Sequence, residues 1–247
     1  MALHGMIFDV DGTLVDTNPA HVEAWRRAFK RLGYDVRAER IKLEIGKGGD
    51  LLVRSILGED VEERDGEALR KAQKEEFLSI ARRERFRVFP CVPELFQALR
   101  QRGMRTALAT SSNKKHLQAV CDSAAIDLPS LADVLVTKEE AKASKPAPDL
   151  VIVAWEKLAL TPAECAMVGD TVYDAQACRG AGVVFLGVLS GGTPADLLLE
   201  AGACGVWRDT GHLYADLDHA LEIASLAAAA SYQLTQPALG SRPDDHQ

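Results

Sequence analysis

The sequence lacks several features that mark specialised classes of protein. Its five cysteines are odd in number and include no Cys-x-x-Cys pair, so neither a disulfide framework nor a zinc site is indicated. No apolar run approaches the roughly 20 residues that a membrane span needs, and the first apolar segment begins too early to follow a signal peptide. A net charge of -7 and a pI near 5.4 argue against a nucleic-acid partner. We therefore expect a reduced, cytoplasmic protein with no membrane or nucleic-acid partner.

The composition is that of a globular protein. Of the 247 residues, 47% are hydrophobic and 26% are charged, and the chain is long enough to bury a sizeable core. Residues 16–89 carry 17 Lys and Arg against 15 Asp and Glu, whereas the rest of the chain carries 12 against 21. Apolar periodicity in this stretch predicts helices over 21–32, 50–57 and 62–85. Its charges are compatible with a solvated helical surface or with a lid that favours anionic ligands.

Outside that stretch, short apolar strands alternate with helices. Strands are predicted at 6–8, 105–109, 134–136, 166–168 and 183–186. This alternation predicts an α/β fold with a mostly parallel sheet covered by helices on both faces. Residues 231–247 are rich in polar and turn-forming types, which predicts a disordered tail.

Polar residues follow several of these strands where each one ends. Asp9 and Asp11 come after the first strand, Thr110 after the second and Asp170 after the fourth. Gly12 lets the backbone turn sharply, although an Asp-Gly pair by itself is also typical of a hairpin turn. Ligands of parallel sheets bind beyond the carboxyl ends of the strands, and neighbouring carboxylates repel unless a cation or a proton lies between them. The pattern favours one crevice in which these groups meet.

Four segments resemble the signature motifs of the haloacid dehalogenase superfamily, in the order and spacing of that family. They are Asp9-Val10-Asp11-Gly12-Thr13-Leu14-Val15-Asp16, Thr110, Lys145-Pro146-Ala147-Pro148-Asp149 and Gly169-Asp170-Thr171-Val172-Tyr173-Asp174. The resemblance covers Gly5 to about Leu217. It implies a Rossmann-like, doubly wound parallel sheet with strand order 3-2-1-4-5, built from residues 1–16 and 90–230. It also implies that residues 17–89 are an inserted helical cap, as in the phosphoglycolate phosphatase and β-phosphoglucomutase branches.

The resemblance assigns roles to the motif residues. Asp9 would be the nucleophile that forms an aspartyl-phosphate, and Asp11 would hold a proton for the leaving alcohol and then activate water. Asp9, Asp170 and Asp174 would hold Mg²⁺, with Asp11 contributing its backbone carbonyl. Thr110 offers a hydroxyl, and Lys145 would neutralise phosphoryl oxygens. Taken alone, Lys145 reads as a surface lysine, and the two later acids read as helix-capping residues.

Five further residues are candidates for substrate binding. Ser111, Ser112 and Asn113 lie at a predicted helix start, where free N–H groups favour anions. Lys47 lies in a glycine-containing cap loop similar to the loop that closes on substrate in phosphoglycolate phosphatases, although an exposed lysine there is equally compatible with the sequence. His21, one turn before Trp25, resembles a pair found in mutase and sugar-phosphatase relatives, although a single histidine is more often a packing residue.

We therefore predict a Mg²⁺-dependent phosphatase for a small phosphorylated metabolite similar to phosphoglycolate or a sugar phosphate. Dehalogenases of this superfamily lack the second acid, so Asp11 argues against that reaction. A phosphomutase is the alternative. Gly48-Gly49, in place of the Ser-Arg usual in the mutase branch, argues against it, whereas His21 argues for it. A non-catalytic binding module is a third hypothesis, since a fold alone does not fix function. A monomer is expected, with a dimer left open.

Overall fold

The computed structural model describes residues 2–235, which form a six-stranded sheet flanked by helices. All neighbouring strands are parallel, and their order is β3-β2-β1-β4-β5-β6. The central strands are nearly continuous apolar runs buried on both faces, which is the pattern of a parallel sheet covered by helices. The strands are β1 (Gly5–Phe8), β2 (Arg105–Ala109), β3 (Val134–Val136), β4 (Cys165–Gly169), β5 (Val184–Val188) and β6 (Ala203–Trp207).

Helices cover both faces of this sheet and also fill the stretch between β1 and β2. The first four are α1 (Asn18–Arg31), α2 (Ala38–Lys42), α3 (Gly49–Leu57) and α4 (Glu59–Ala81). The others are α5 (Val92–Gln101), α6 (Lys114–Ala124), α7 (Leu128–Leu131), α8 (Asp149–Lys157), α9 (Val172–Ala181), α10 (Ala195–Ala201), α11 (Thr210–Ala215) and α12 (Leu217–Thr235). Two large hydrophobic clusters contain strand residues together with residues of the flanking helices.

The predicted α/β fold is confirmed, with two differences. The implied order of five strands is extended by β6, which was not predicted because Gly205 interrupts its short apolar pattern. The last helix continues to Thr235, so residues 231–235, predicted to belong to a disordered tail, are helical. The remainder of that predicted tail, 236–247, lies outside the described residues. Within residues 2–235, which include all five cysteines, no disulfide forms and no helix is long and apolar enough to cross a membrane.

Helices α1 to α4 confirm the predicted helical character of the stretch after β1. They enclose a hydrophobic cluster of their own that includes Trp25, Phe29, Leu52 and Leu69. The division of the chain into a core domain and a cap domain remains a proposal. The loop before α3 touches the core directly, because the backbone N–H of Gly48 donates to the carbonyl of Lys145 at 3.3 Å.

Candidate active site

The topology of the sheet brings the predicted motif residues to one edge. Phe8, the last residue of β1, lies opposite Leu108 of β2 on one side and Val168 of β4 on the other. The backbone N–H of Asp9 continues this pairing by donating to the carbonyl of Val168 at 3.0 Å. The residues that follow these three strands therefore meet above the centre of the sheet, as the sequence predicts for a parallel fold. They are Asp9, Asp11, Thr110, Ser111, Ser112 and Asp170.

Three buried carboxylates form a compact acidic group at this edge. Asp9, Asp170 and Asp174 each offer an oxygen atom, and these oxygens all lie within 4.8 Å of one another. Lys145 reaches into the group: its Nζ atom lies 2.5 Å from Asp9 Oδ1 and 2.8 Å from Asp174 Oδ1. The side chain of Lys145 is only 2% exposed, so the reading of this residue as a surface lysine is wrong. One buried cation is thus shared by two of the three acids, Asp9 and Asp174.

Local hydrogen bonds fix the two acids that follow β4. Thr13 Oγ1 donates to Asp170 Oδ1 at 2.9 Å, and Asn18 Nδ2 donates to Asp170 Oδ2 at 3.0 Å. Asp174 belongs to a capping box at the start of α9, in which its Oδ2 accepts from the hydroxyl of Thr171 at 2.6 Å. The predicted capping role of Asp174 and its place in the acidic group therefore coexist, since its Oδ1 faces Lys145.

Two glycines are required by the close packing around Asp170. Gly12 has φ of +82°, and a Cβ atom there would lie 2.4 Å from Asp170 Oδ2. A Cβ atom at Gly191 would lie 1.6 Å from the same oxygen. Both the turn after β1 and the approach of residue 191 therefore depend on the absence of a side chain. The predicted sharp turn at Gly12 is confirmed.

The electrostatics of the acidic group favour a bound cation. The pKa of Asp9 is raised to about 7, mainly by burial. Attraction to Lys145 lowers this pKa, and repulsion from Asp174 and Asp11 offsets part of that lowering. Burial, with repulsion from Asp174 and Asp9, raises the pKa of Asp170 well above its usual range. Burial lowers the pKa of Lys145, but attraction to Asp174 and Asp9 more than reverses this and raises it above its ordinary value. Carboxylate oxygens at this spacing fit Mg²⁺, which would relieve the remaining repulsion.

Asp11 lies apart from the three-carboxylate group. Its Oδ1 accepts from Thr17 Oγ1 at 2.7 Å and lies 3.1 Å from His21 Nε2, while its Oδ2 accepts from Ser112 Oγ at 3.2 Å and from Thr110 Oγ1 at 3.4 Å. Burial raises the pKa of Asp11, but His21, Thr17 and Ser112 together lower it below its usual range. The family resemblance implies that Asp11 can hold a proton, whereas its contacts in the structure favour the ionised form.

The four residues after β2 differ in their hydrogen bonds. Thr110 Oγ1 accepts from the backbone N–H of Ser112 at 3.0 Å. Asn113, predicted to bind substrate, uses its side chain to cap α6 by accepting from the backbone N–H of His116 at 2.9 Å. Ser111 Oγ is buried without a hydrogen-bond partner among the described residues. Ser111, Ser112 and Asn113 all line a cavity of about 130 Å³ between this edge of the sheet and the helices of residues 18–81.

Both predicted cap residues also line this cavity. The ring of His21 stacks on Phe77 of α4 at a centroid distance of 4.2 Å, so His21 is at once a packing residue and a partner of Asp11. Lys47 forms an ion pair with Glu44 and a hydrogen bond of 2.9 Å to Ser55 Oγ. Its side chain is 18% exposed, so Lys47 lies at the cavity with its charge already paired.

Several residues that hold the site were not predicted from the sequence. Thr13 and Asn18 fix Asp170, and Thr17 binds Asp11. Their position in the sequence could have indicated this role, because all three lie within nine residues of Asp9 and carry side chains that hydrogen-bond to carboxylates. Which acid each one reaches depends on the turn at Gly12, and the sequence did not define that turn in detail.

Comparison with known proteins identifies the family. A family model described as haloacid dehalogenase-like hydrolase matches residues 3–182. The chain belongs to this family. It is therefore a hydrolase, which confirms the resemblance and the expectation of an enzyme.

Similar proteins carry phosphatase names. The chain is 30% identical to a phosphorylated carbohydrates phosphatase of Thermotoga maritima, over 81% of this chain and 92% of that protein. It is 33% identical to a phosphoglycolate phosphatase of Nitrosospira multiformis, over 74% and 81% of the two chains. The crystal structure of a hydrolase from Pseudomonas syringae superimposes with a TM-score of 0.80 at 27% identity, covering 89% of this chain and 99% of that one.

Proposed function

We propose that this haloacid dehalogenase-like hydrolase is a Mg²⁺-dependent phosphatase that acts on a small phosphorylated metabolite through an aspartyl-phosphate on Asp9. The observation that carries the proposal is the setting of the Asp9 carboxylate. It is buried, it lies 2.5 Å from the ammonium of Lys145, and it shares one acidic group with Asp170 and Asp174. A carboxylate so placed combines a nucleophile with the charges needed to approach an anionic phosphate ester.

In the proposed reaction, a carboxylate oxygen of Asp9 attacks the phosphorus atom and the ester P–O bond breaks. Lys145 balances the charge of Asp9 and of the phosphoryl oxygens. A Mg²⁺ ion held by Asp9, Asp170 and Asp174, with the carbonyl of Asp11, would neutralise phosphoryl charge when bound. Water then attacks the phosphorus atom, the bond to Asp9 breaks, and inorganic phosphate is released.

Asp11 is the proposed acid and base. It would give a proton to the departing alcohol oxygen and take one from the attacking water. Asp11 Oδ1 lies 3.1 Å from His21 Nε2, within hydrogen-bonding distance. A protonated Asp11 is the acid that the first step needs, and the carboxylate that remains after that step is the base that the second step needs. His21, which contacts one oxygen of Asp11, acts as a positioning residue for both steps.

The size of the cavity and the names of the relatives support a small substrate. A space of about 130 Å³ suits a small metabolite and not a strand of nucleic acid or a folded protein. Relatives named for phosphorylated carbohydrates and for phosphoglycolate support a substrate similar to these.

A phosphomutase remains the second candidate, because His21 contacts the proposed acid Asp11. Against it, Gly48 and Gly49 have no side chains at the positions where the mutase branch carries Ser-Arg. Incubation with a hexose 1-phosphate and a bisphosphate primer separates the two reactions. Isomerisation without phosphate release would favour the mutase, and phosphate release without isomerisation the phosphatase.

The direct test is phosphate release from a panel of phosphorylated metabolites, with Mg²⁺ or with EDTA. Asp9→Asn should lower turnover by a factor on the order of 10⁴ or more, because the nucleophile is lost, and should leave the fold intact. Acid quenching with ³²P-labelled substrate should trap labelled wild-type protein and no labelled Asp9→Asn. Asp16→Asn is the matched control, since Asp16 ends the same motif but forms an exposed pair with Arg87. Turnover retained by Asp9→Asn would contradict the assignment of the nucleophile.

A further inference from the structure

Besides Lys47, three cations line the cavity without taking part in the proposed chemistry. Arg70 and Lys74 come from α4, and Lys138 begins the short 3₁₀ turn that follows β3. Among residues 2–235, none of the three forms an ion pair with Asp9, Asp11, Asp170 or Asp174. We name Arg70, Lys74 and Lys138 the cationic wall.

The members of the cationic wall line the same cavity, and Arg70 and Lys74 lie one turn apart on α4. Partial burial lowers the pKa of Lys138, and repulsion from Lys74 and Arg70 lowers it further, while Asp50 acts in the opposite direction. Arg70 is neutralised by an ion pair with Glu62. Lys74 and Lys138, by contrast, are exposed residues at the cavity and make no side-chain hydrogen bond and no ion pair with any residue that the structure describes. Two unpaired ammonium groups therefore line one cavity.

Uncharged polar groups beside the cationic wall are also without partners. Gln73 lines the cavity, is only 9% exposed, and makes no side-chain hydrogen bond within the described part of the chain. Ser111 Oγ and His116 Nε2 are buried and have no hydrogen-bond partner among the same residues. Buried polar groups in folded proteins are normally hydrogen-bonded, because leaving them unpaired costs free energy. Their number around one cavity points to a ligand that supplies the missing partners.

The backbone holds these groups next to the proposed reaction centre. The N–H of Lys138 donates to the carbonyl of Ser112 at 3.1 Å, and the hydroxyl of Ser112 donates to Asp11. The ring of His116 packs edge-on against Phe77 of α4, the helix that carries Lys74, at a centroid distance of 5.5 Å. A substrate whose phosphate lies against Asp9 and whose other end extends past Ser112 therefore passes the two free lysines.

We propose that the substrate carries a second anionic group, a carboxylate or a second phosphate, and that Lys74 and Lys138 bind it. The inference rests on the proposed phosphatase function. An anion between two ammonium groups forms two charge-assisted contacts and removes their mutual repulsion, whereas a hydroxyl group at the same position does neither. The amide of Gln73 is available to donate to the same anion. Lys74 and Lys138 are thus specificity-determining residues.

The test compares substrates that differ only in the charge of their second end. One pair is phosphoglycolate and 2-hydroxyethyl phosphate, and the other is a hexose 1,6-bisphosphate and the hexose 6-phosphate. In Lys74→Met/Lys138→Met, kcat/KM for the anionic member of a pair should fall at least tenfold more than for its neutral member. The pair that responds identifies the second anion as a carboxylate or a phosphate. Lys71→Met is the control, because Lys71 is an exposed residue of the same helix that does not line the cavity.

Binding of non-hydrolysable ligands keeps the two proposals distinguishable. The wild type should bind 3-phosphonopropionate at least tenfold more tightly than 3-hydroxypropylphosphonate in calorimetric titrations, and the double variant should lose this preference. Equal losses for both members of each substrate pair, or no preference by the wild type for any second anion, would overturn the inference. Selective binding by the wild type without turnover of any substrate would support the anion site and contradict the phosphatase.

Discussion

Charged groups on two sides of the same cavity are held in different ways. At the edge of the sheet each acid has partners: Asp9 and Asp174 share Lys145, Asp170 accepts from two side chains, and Asp11 contacts four. On the other side, Lys74 and Lys138 have none among the described residues. Groups fixed before the substrate arrives suit chemistry that every phosphate ester shares. Groups without partners suit recognition, because the ligand supplies the missing charge.

Among the charges that surround the proposed nucleophile, the largest effect should come from removing Lys145, the cation that Asp9 and Asp174 share. Lys145→Met should lower kcat by roughly 10²–10³-fold, since it removes a fixed charge from the reacting group. It should also lower the free energy of unfolding by about 3–5 kcal/mol, because buried carboxylates lose their partner. Lys157→Met is the control: Lys157 forms a half-exposed pair with Glu140, and such pairs contribute about 0–1 kcal/mol. Urea unfolding and phosphate release measure both effects. Similar losses of kcat and of unfolding free energy in the two variants would contradict the idea that the buried pair at Lys145 contributes more than the surface pair at Lys157.

The paired acids should also make stability depend on pH and on Mg²⁺. Asp9 has a pKa of about 7 in the folded protein against 3.8 normally, mainly because of burial. The folded chain therefore binds more protons than the unfolded chain between about pH 4 and 7, and stability falls as pH rises through this window. The raised pKa of Asp170 acts in the same direction. The lowered pKa of Asp11 acts oppositely, but only below about pH 4.

In EDTA, we expect the free energy of unfolding to be lower at pH 7.5 than at pH 5 by on the order of 1–4 kcal/mol. Mg²⁺ should stabilise the protein more at pH 7.5, where the acids are ionised. Asp9→Asn should flatten the pH dependence. Stability in EDTA that is constant or rises between these pH values would show that the acids are not held as the geometry indicates.

The two sides of the cavity also differ in how far the sequence could predict them. The residues at the edge of the sheet follow strands directly, so a correct strand assignment was enough to bring Asp9, Thr110 and Asp170 together. Asp11 was the exception, because its protonation depends on the contact with His21, which comes from α1. Side-chain contacts between different elements have no local signal in the sequence.

The cationic wall was beyond prediction for the same physical reason. Periodicity predicted the helix that became α4, but not that Gln73 and Lys74 would line a cavity. Lys138 lies in a short turn after β3, and its nearness to Lys74 depends on how the helices of residues 18–81 pack against the strand ends. Lys47, the cap cation that the sequence did single out, is paired with Glu44. Charge in the sequence indicates a cation, whereas only packing decides whether that cation is free.

The smallest effect should therefore come from Lys47. Its ammonium pairs with Glu44, donates to Ser55 and lies 5.0 Å from the ring centroid of Tyr173, so it has less to offer a substrate than Lys74 or Lys138. Lys47→Ala should raise KM at most about fivefold, the equivalent of ~1 kcal/mol, and should leave kcat nearly unchanged. Lys30→Ala, at an exposed position of α1, serves as the control. A rise in KM for anionic substrates as large as that in Lys74→Met would mean that the pair with Glu44 opens when substrate binds. Lys47 would then bind substrate as Lys74 and Lys138 are proposed to do. In that case, the presence or absence of a charged partner in the structure would not distinguish catalytic groups from substrate-binding groups.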